Sequence, residues 1–234
     1  MSPSWPPNAS SDVGAPRLFP PTVWIPGGSL EITEPGGAGH ARKIEPFLIG
    51  RTPVINREYA PFLAACRVSE PPWWNDPRFC APMQPVVGVT WTDAAAFCDW
   101  LSEADVLPWR LPTELEWEFA ASGGRIAPRT AWGDAIPPRE IPEGALEAPW
   151  EAGRGQPNGY GVMDAGTIVH EWCANWSAGD PPASGLRRRA SRGGSWRHAI
   201  RWSAPSAASS LPPEYRYSDY GFRVLRELGA RPSP

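Results

Sequence analysis

Cysteine and histidine are both scarce in this sequence, with four and three in 234 residues, and no two cysteines form a C-x-x-C pair. That absence removes the spacing by which zinc ribbons and thioredoxin-like redox motifs are read. Cys66, Cys80, Cys98 and Cys173 are therefore expected to be buried free thiols. Long apolar runs are missing as well: none reaches the roughly 20 residues that span a bilayer. The opening MSPSWPPNASSDVGAPRLFPPT lacks the basic start and apolar centre of a secretion signal. A cytoplasmic protein that does not engage a membrane is expected. A surplus of positive charge is missing too, since 22 Lys and Arg face 25 Asp and Glu for a formal net charge of -3. The one basic run, Arg187–Arg189, reads as a solvated turn, so nucleic acid is not an expected partner.

What the chain has in abundance is 31 Pro, 23 Gly and 14 Trp. The backbone is punctuated too often for long regular elements, and large aromatic surfaces must be buried or presented to a ligand. With 41% hydrophobic and 20% charged residues the composition is that of a folding chain. One domain over residues 22–228 is expected, preceded by a Pro- and Ser-rich arm at 1–21 and followed by a tail at 229–234. Short strands are expected around Val23–Ile25, Leu30–Ile32 and Phe47–Ile49.

Three helices are legible. The first is expected to be capped by Asn56, with Tyr59, Phe62, Leu63 and Cys66 on one buried stripe. The second is capped by the Thr90–Asp93 segment and buries Ala94, Phe97, Cys98 and Leu101. In the third, Thr113 and Glu116 have the spacing of a capping box, Leu115 and Phe119 face inward, and Gly123–Gly124 ends the helix. Residues 69–83 and 125–157, rich in Pro and Gly, are expected to be loops. The sum is an irregular, loop-rich α+β domain rather than a layered βαβ fold.

Several segments, in order, carry a resemblance: Val89–Ala94 (VTWTDA), Arg110–Glu118 (RLPTELEWE), Pro157–Gly161 (PNGYG), Glu171–Trp172, Arg192–Trp196 (RGGSW) and Gly221–Arg223 (GFR). Together they make the chain, over about residues 22–226, resemble the formylglycine-generating enzyme, or sulfatase-modifying-factor, family. The resemblance implies a C-type-lectin-like fold with short antiparallel strands and two or three helices. It also implies a structural calcium site. Asp164 and Glu171 match the family's side-chain ligands and Thr167 and Val169 its backbone-carbonyl ligands, a hard-oxygen set suited to Ca²⁺. A turn cap at Asp164 and an arginine partner for Glu171 are the alternative.

Active members of that family bind copper through two cysteines shortly after the Gly-Gly-Ser segment and use oxygen to oxidise a cysteine of a client protein. Here His198 and Ser203 fall at those places when the match runs forward from Ser195, and Ile200 at the second when it runs backward. All four cysteines precede Ser195, so no copper at a cysteine pair is expected.

Two function classes follow. The first is a non-catalytic recognition module binding a peptide or protein through Trp196, Arg197, His198, Trp202, Tyr215 and Tyr217. Rigid aromatics mixed with Arg and Ser are the chemistry of a binding surface, and burial of the same aromatics in a core is its competitor. The second is a divergent oxygen-dependent oxidase or tailoring enzyme using iron or copper. His170 and His198 would hold the metal, with Cys173 or Glu171 as a third ligand and Ser195 nearby; imidazole suits both metals.

Overall fold

The computed structural model describes residues 19–32, 39–133, 146–177 and 185–229, with Arg201 in backbone only. Residues 1–18 of the expected arm and 230–234 of the expected tail lie outside that set. Phe19, at the end of the arm, stacks on Trp109 with ring centroids 5.7 Å apart.

Among the described residues, ten short strands and three α-helices make an α+β architecture. One antiparallel sheet orders β1 (Thr22–Ile25), β4 (Phe47–Gly50), β10 (Leu225–Arg226) and β5 (Trp109–Arg110) side by side. A hairpin pairs β2 (Gly28–Ile32) with β3 (His40–Ile44). A second four-stranded sheet runs β8 (Ala208–Leu211), β7 (Arg189–Arg192), β6 (His170–Trp176) and β9 (Tyr220–Gly221). Its β6–β9 pair is parallel, unlike the rest. Among the described residues no helix is long and apolar enough to cross a membrane.

Helices α2 (Trp91–Ala104) and α3 (Glu114–Ser122) begin where the local chemistry places them. The Thr90 and Asp93 side chains each accept the other's backbone N–H, and Thr113 and Glu116 do the same. The stripe Ala94, Phe97, Cys98 and Leu101 is buried as expected, and Gly123 ends α3 at φ 61°. The inner face of α3 differs from the reading: Trp117, Phe119, Ala120 and Ala121 are buried, while Leu115 is only partly so.

Helix α1 (Asn56–Cys66) starts one residue earlier than a side-chain cap at Asn56 required. Ile55 is the cap residue, its N–H accepted by the Glu58 carboxylate at 3.2 Å. The Asn56 amide is spent instead on the Phe79 and Ala81 carbonyls, pinning the proline-rich loop. Cys66 and Cys80 are exposed, correcting their expected burial; Cys98 and Cys173 are buried.

Strand alternation on β6 divides the core. Trp172 packs with Phe222, Tyr220 and the α1–α2 aromatics, whereas Cys173 packs with Trp117, Phe119 and Ile49. On the Cys173 side, Glu171 is fully buried and meets Arg223, itself 1% exposed. Arg223 Nε and Nη2 donate to the two Glu171 oxygens at 2.5 and 2.8 Å, and Trp117 Nε1 donates to Oε2 at 2.6 Å. The remaining guanidinium donors reach the Gly50 and Met163 carbonyls at 2.9 and 3.2 Å. One side chain thus ties β4, β6, α3 and the 163 loop together.

Removing one partner of such a pair leaves a buried charge uncompensated. Arg223→Met is therefore expected to cost about 3–5 kcal/mol in urea unfolding, and a loss below about 1 kcal/mol would contradict the assigned role.

Candidate metal centre

The parallel register of β6 on β9 sets His170 opposite Tyr220 and Glu171 opposite Gly221. The His170 N–H donates to the Asp219 carbonyl at 2.9 Å, which brings Asp219, from the far end of the chain, beside the His170 ring. Strand β7 delivers the third component. It runs into Gly193–Gly194, and a turn closed by the His198 N–H on the Ser195 carbonyl at 2.8 Å returns His198 toward the sheet.

The result is a cluster in which His170, His198 and Asp219 each offer one ligand atom, all within 4.8 Å of one another. The imidazole centroids are 5.1 Å apart. The hydrogen bonds fix which nitrogens are available. His170 Nδ1 lies 2.6 Å from the Gly193 carbonyl, which can only accept, so Nδ1 carries the proton and Nε2 keeps its lone pair. Ser195 Oγ spends its proton on Asp219 Oδ2 at 3.0 Å. It is then left to accept from His198 Nδ1 at 3.3 Å, which frees His198 Nε2 in the same way. Burial holds the His170 imidazole below its ordinary pKa, against the pull of the neighbouring Asp219 charge. A neutral ring is the ligand form.

Beside the cluster lies a cavity of about 280 Å³, walled by His170, His198, Trp202 and Ser209 and by the Gly193–Gly194 and Ala207–Ala208 stretches. No cysteine lines it. Cys173 sits on the opposite face of β6 from His170, its thiol near the Glu171 carbonyl at 3.7 Å and pushed well up in pKa by burial. Copper held by thiolates does not fit this cleft. By the same alternation Cys173 and Glu171 both point away from His170, and the carboxylate within reach of both imidazoles is that of Asp219. Asp219 was missed because the two-residue β9 leaves no periodic signal; its position just before Tyr220-Gly221-Phe222-Arg223 was the available hint.

The residues expected to form a recognition surface separate. Trp196 is 4% exposed, packs against Phe79 at 6.1 Å and donates to the Ser218 carbonyl, so it is core. Arg197, His198, Trp202, Tyr215 and Tyr217 are exposed around the mouth of the cavity or on the segment behind it. Arg197 donates to Ser218 Oγ at 2.6 Å and lies over the Trp196 ring at 4.8 Å.

Of the expected calcium donors, Asp164 keeps a buried oxygen, Oδ1, with no hydrogen-bond partner among the described residues. Its Oδ2 accepts from the Gly153 amide at 2.5 Å, and burial pushes its pKa up to about 6. Asp164 therefore fits a cation, while both Glu171 oxygens are already engaged by Arg223 and Trp117. Thr167 and Val169 are buried in the same loop.

The sequence pattern of the "Sulfatase-modifying factor enzyme 1-like domain" matches residues 10–228. The formylglycine-generating enzyme of Streptomyces coelicolor is 28% identical over 91% of this chain and 91% of its own. The inactive C-alpha-formylglycine-generating enzyme 2 of Mus musculus is 34% identical over 62% of this chain and 50% of its own. Among solved structures, PvdO from Pseudomonas aeruginosa superposes with a TM-score of 0.73 at 25% identity, covering 89% of this chain and 95% of that one.

The backbone that carries His170's acceptor has no room to change. Gly193 adopts φ 80°, and a Cβ there would meet the Gly166 Cα at 2.5 Å; at Gly185, φ 69°, a Cβ would meet nothing within 4 Å. Gly185→Ala is expected to cost only the left-handed strain, about 1–2 kcal/mol. Gly193→Ala should cost clearly more and lower the thermal midpoint further. Equal losses in paired denaturation curves would refute the close-approach argument.

Proposed function

The chain belongs to the sulfatase-modifying factor enzyme 1-like domain family, and we propose that it is a divergent, metal-dependent member using imidazole and carboxylate where relatives of the formylglycine-generating type use sulfur. The carrying observation is the convergence of His170, His198 and Asp219, with both Nε2 atoms left free by their hydrogen bonds. Two histidines and one carboxylate with open positions are the donor set of non-haem iron oxygenases, so iron is the favoured ion and copper the second. Bound there, such an ion would supply oxygen activation.

The chain's own residues have separable parts in this reading. His170 and His198 offer neutral nitrogens, and Asp219 supplies the negative charge that balances a divalent ion. Ser195 holds Asp219 by its hydroxyl proton, and the Gly193 carbonyl holds the His170 tautomer. Trp202 and the Ala207–Ala208 backbone give the substrate a mostly apolar wall. The reaction class is oxygen-dependent oxidation of a small molecule or peptide side chain that fits about 280 Å³.

A second reading, recognition of a peptide or protein without chemistry, is supported by the exposed Trp202, Tyr215 and Tyr217, which are 59%, 39% and 44% accessible. It also draws on the name of the murine relative, which describes that protein as inactive. Elemental analysis separates the two. Protein reconstituted anaerobically with ferrous iron or with copper, then desalted, is expected to retain one ion per chain. His170→Ala, His198→Ala and Asp219→Asn should each lose it. Ser195→Ala should keep the site but weaken it roughly 10–100-fold, as loss of a group orienting a ligand does. Retention of calcium alone by the native protein would defeat the metalloenzyme reading in favour of recognition.

Calcium is the second ion of this proposal, structural and anchored on Asp164, with the Thr167 and Val169 carbonyls as its further candidates; Glu171 would have to share oxygens that Arg223 and Trp117 already hold. A ligand that binds only the folded state at 100 times its Kd adds about 2.7 kcal/mol. A rise in thermal midpoint of roughly 5–10 °C, at about 2–4 °C per kcal/mol for a domain of this size, is expected on replacing EDTA with saturating calcium at pH 7.5, and it should vanish in Asp164→Asn. A midpoint indifferent to calcium would remove this ion from the proposal.

A further inference from the structure

The metal centre is not closed off by aliphatic packing; a file of phenol rings leads from it to the surface. Tyr220 lies on His170 with centroids 4.8 Å apart and planes inclined by 33°. Tyr217 follows at 6.0 Å from Tyr220, and Tyr215 at 6.1 Å from Tyr217. All three spacings fall in the range of direct aromatic contact. Burial grades along the file: Tyr220 is 7% exposed, whereas Tyr217 and Tyr215 are 44% and 39% exposed. The inner phenol is also tied to a proton path. Tyr220 Oη lies 2.9 Å from Ser209 Oγ and 3.4 Å from Ser191 Oγ, the two serines are 2.7 Å apart, and Ser209 lines the cavity.

Packing alone does not account for this arrangement. A core ring needs no hydroxyl, and a buried phenol that must find partners is costlier to place than phenylalanine. Tyr215 and Tyr217 keep about two-fifths of their area in water, 39% and 44%, where a phenol ring is open to a dissolved reagent. What the arrangement does provide is three groups of similar oxidation chemistry in contact, one touching a metal ligand and two touching solvent.

We propose that Tyr220, Tyr217 and Tyr215 form a one-electron relay through which a reductant docked at the Tyr215–Tyr217 surface supplies electrons to the His170–His198–Asp219 centre without entering the cavity. The proposal rests on the metal reading and specifies its electron source. With an ion bound, hydrogen peroxide, taken in place of the oxygen of the substrate reaction, would be the oxidant, and a small thiol or ascorbate-class reductant would be the terminal donor. In each passage Tyr220 loses one electron to the oxidised centre and its phenolic proton through Ser209 to cavity water. Tyr217 then refills Tyr220, Tyr215 refills Tyr217, and the external donor refills Tyr215, the proton lost by each phenol being restored in the same step. Two passages deliver the two electrons that, with two protons, turn one peroxide into two waters, and two donor molecules are each oxidised by one electron.

Two experiments test it. In the first, metal-loaded protein receives one equivalent of hydrogen peroxide with a spin trap and no reductant, and adducts are mapped by peptide mass spectrometry. Adducts on Tyr215 or Tyr217 are expected. They should disappear in Tyr220→Phe, which keeps the ring and the metal content while losing the oxidisable hydroxyl. Equal surface adducts in Tyr220→Phe, or adducts confined to tryptophan, overturn the relay while leaving the metal centre standing.

The second experiment needs no native metal. A ruthenium photo-oxidant is attached to the exposed His198 in a His40→Gln background and flash-quenched. A tyrosyl absorbance and adducts at Tyr217 or Tyr215 are expected, and Tyr217→Phe should strand the oxidation on Tyr220. Absence of any tyrosyl signal under flash-quench rejects the relay whether or not iron or copper binds, whereas a signal in a protein that fails the elemental test rejects only the metal reading.

Discussion

The fold is organised around a charge that has no access to water. Glu171, the second residue of β6, has its carboxylate sealed from solvent, a position that would be untenable without a partner of opposite sign and matching shape. Arg223 meets it in a two-pronged contact, and its spare donors close carbonyls from two other segments. A lysine would supply the charge without the planar fork. Because strand geometry alternates, anchoring Glu171 on one face commits His170 to the other, where it meets Tyr220, Asp219 and the Gly193 carbonyl. The polar centre of the core therefore orients the cleft on the other face of β6.

Exchange of sulfur for nitrogen and oxygen changes what the cleft can do. Thiolates favour the soft cuprous ion; imidazole and carboxylate favour harder, higher-coordinate ions with positions left for other ligands. His198 falls where the family resemblance places the first copper cysteine, but the other two members of the cluster come from β6 and from the residue before β9. In the proposed centre, then, one donor stands at a position that the resemblance marks and the other two come from elsewhere in the fold.

How much of this was legible beforehand depends on the range of each interaction. The start of α3 was legible to the residue, and that of α2 to within the Thr90–Asp93 segment, because a capping box is complete within four positions. The start of α1 was displaced because the Asn56 amide serves carbonyls 23 and 25 residues away, a demand no local pattern announces. The pairing of His170 with His198 was anticipated from the family pattern, while Asp219 required knowledge that a two-residue strand lies parallel to β6. Trp196 illustrates a different limit. In composition it belongs to an aromatic, Arg- and Ser-rich segment, and only the three-dimensional path shows that its indole turns inward while Trp202 turns out.

The position of β10 bears on how this domain comes into being. Leu225 pairs with Ile49 on one side and with Arg110 on the other, so the last strand fills the gap between two that were made much earlier. Until residues 220–226 have left the ribosome, β4 and β5 present open edges and Glu171 has no counter-ion. A growing chain must keep these edges apart until the segment carrying β10 has emerged, and open strand edges are where mispairing begins. One short stretch, residues 219–226, thus completes a sheet, neutralises the core and sets Asp219 beside the histidines.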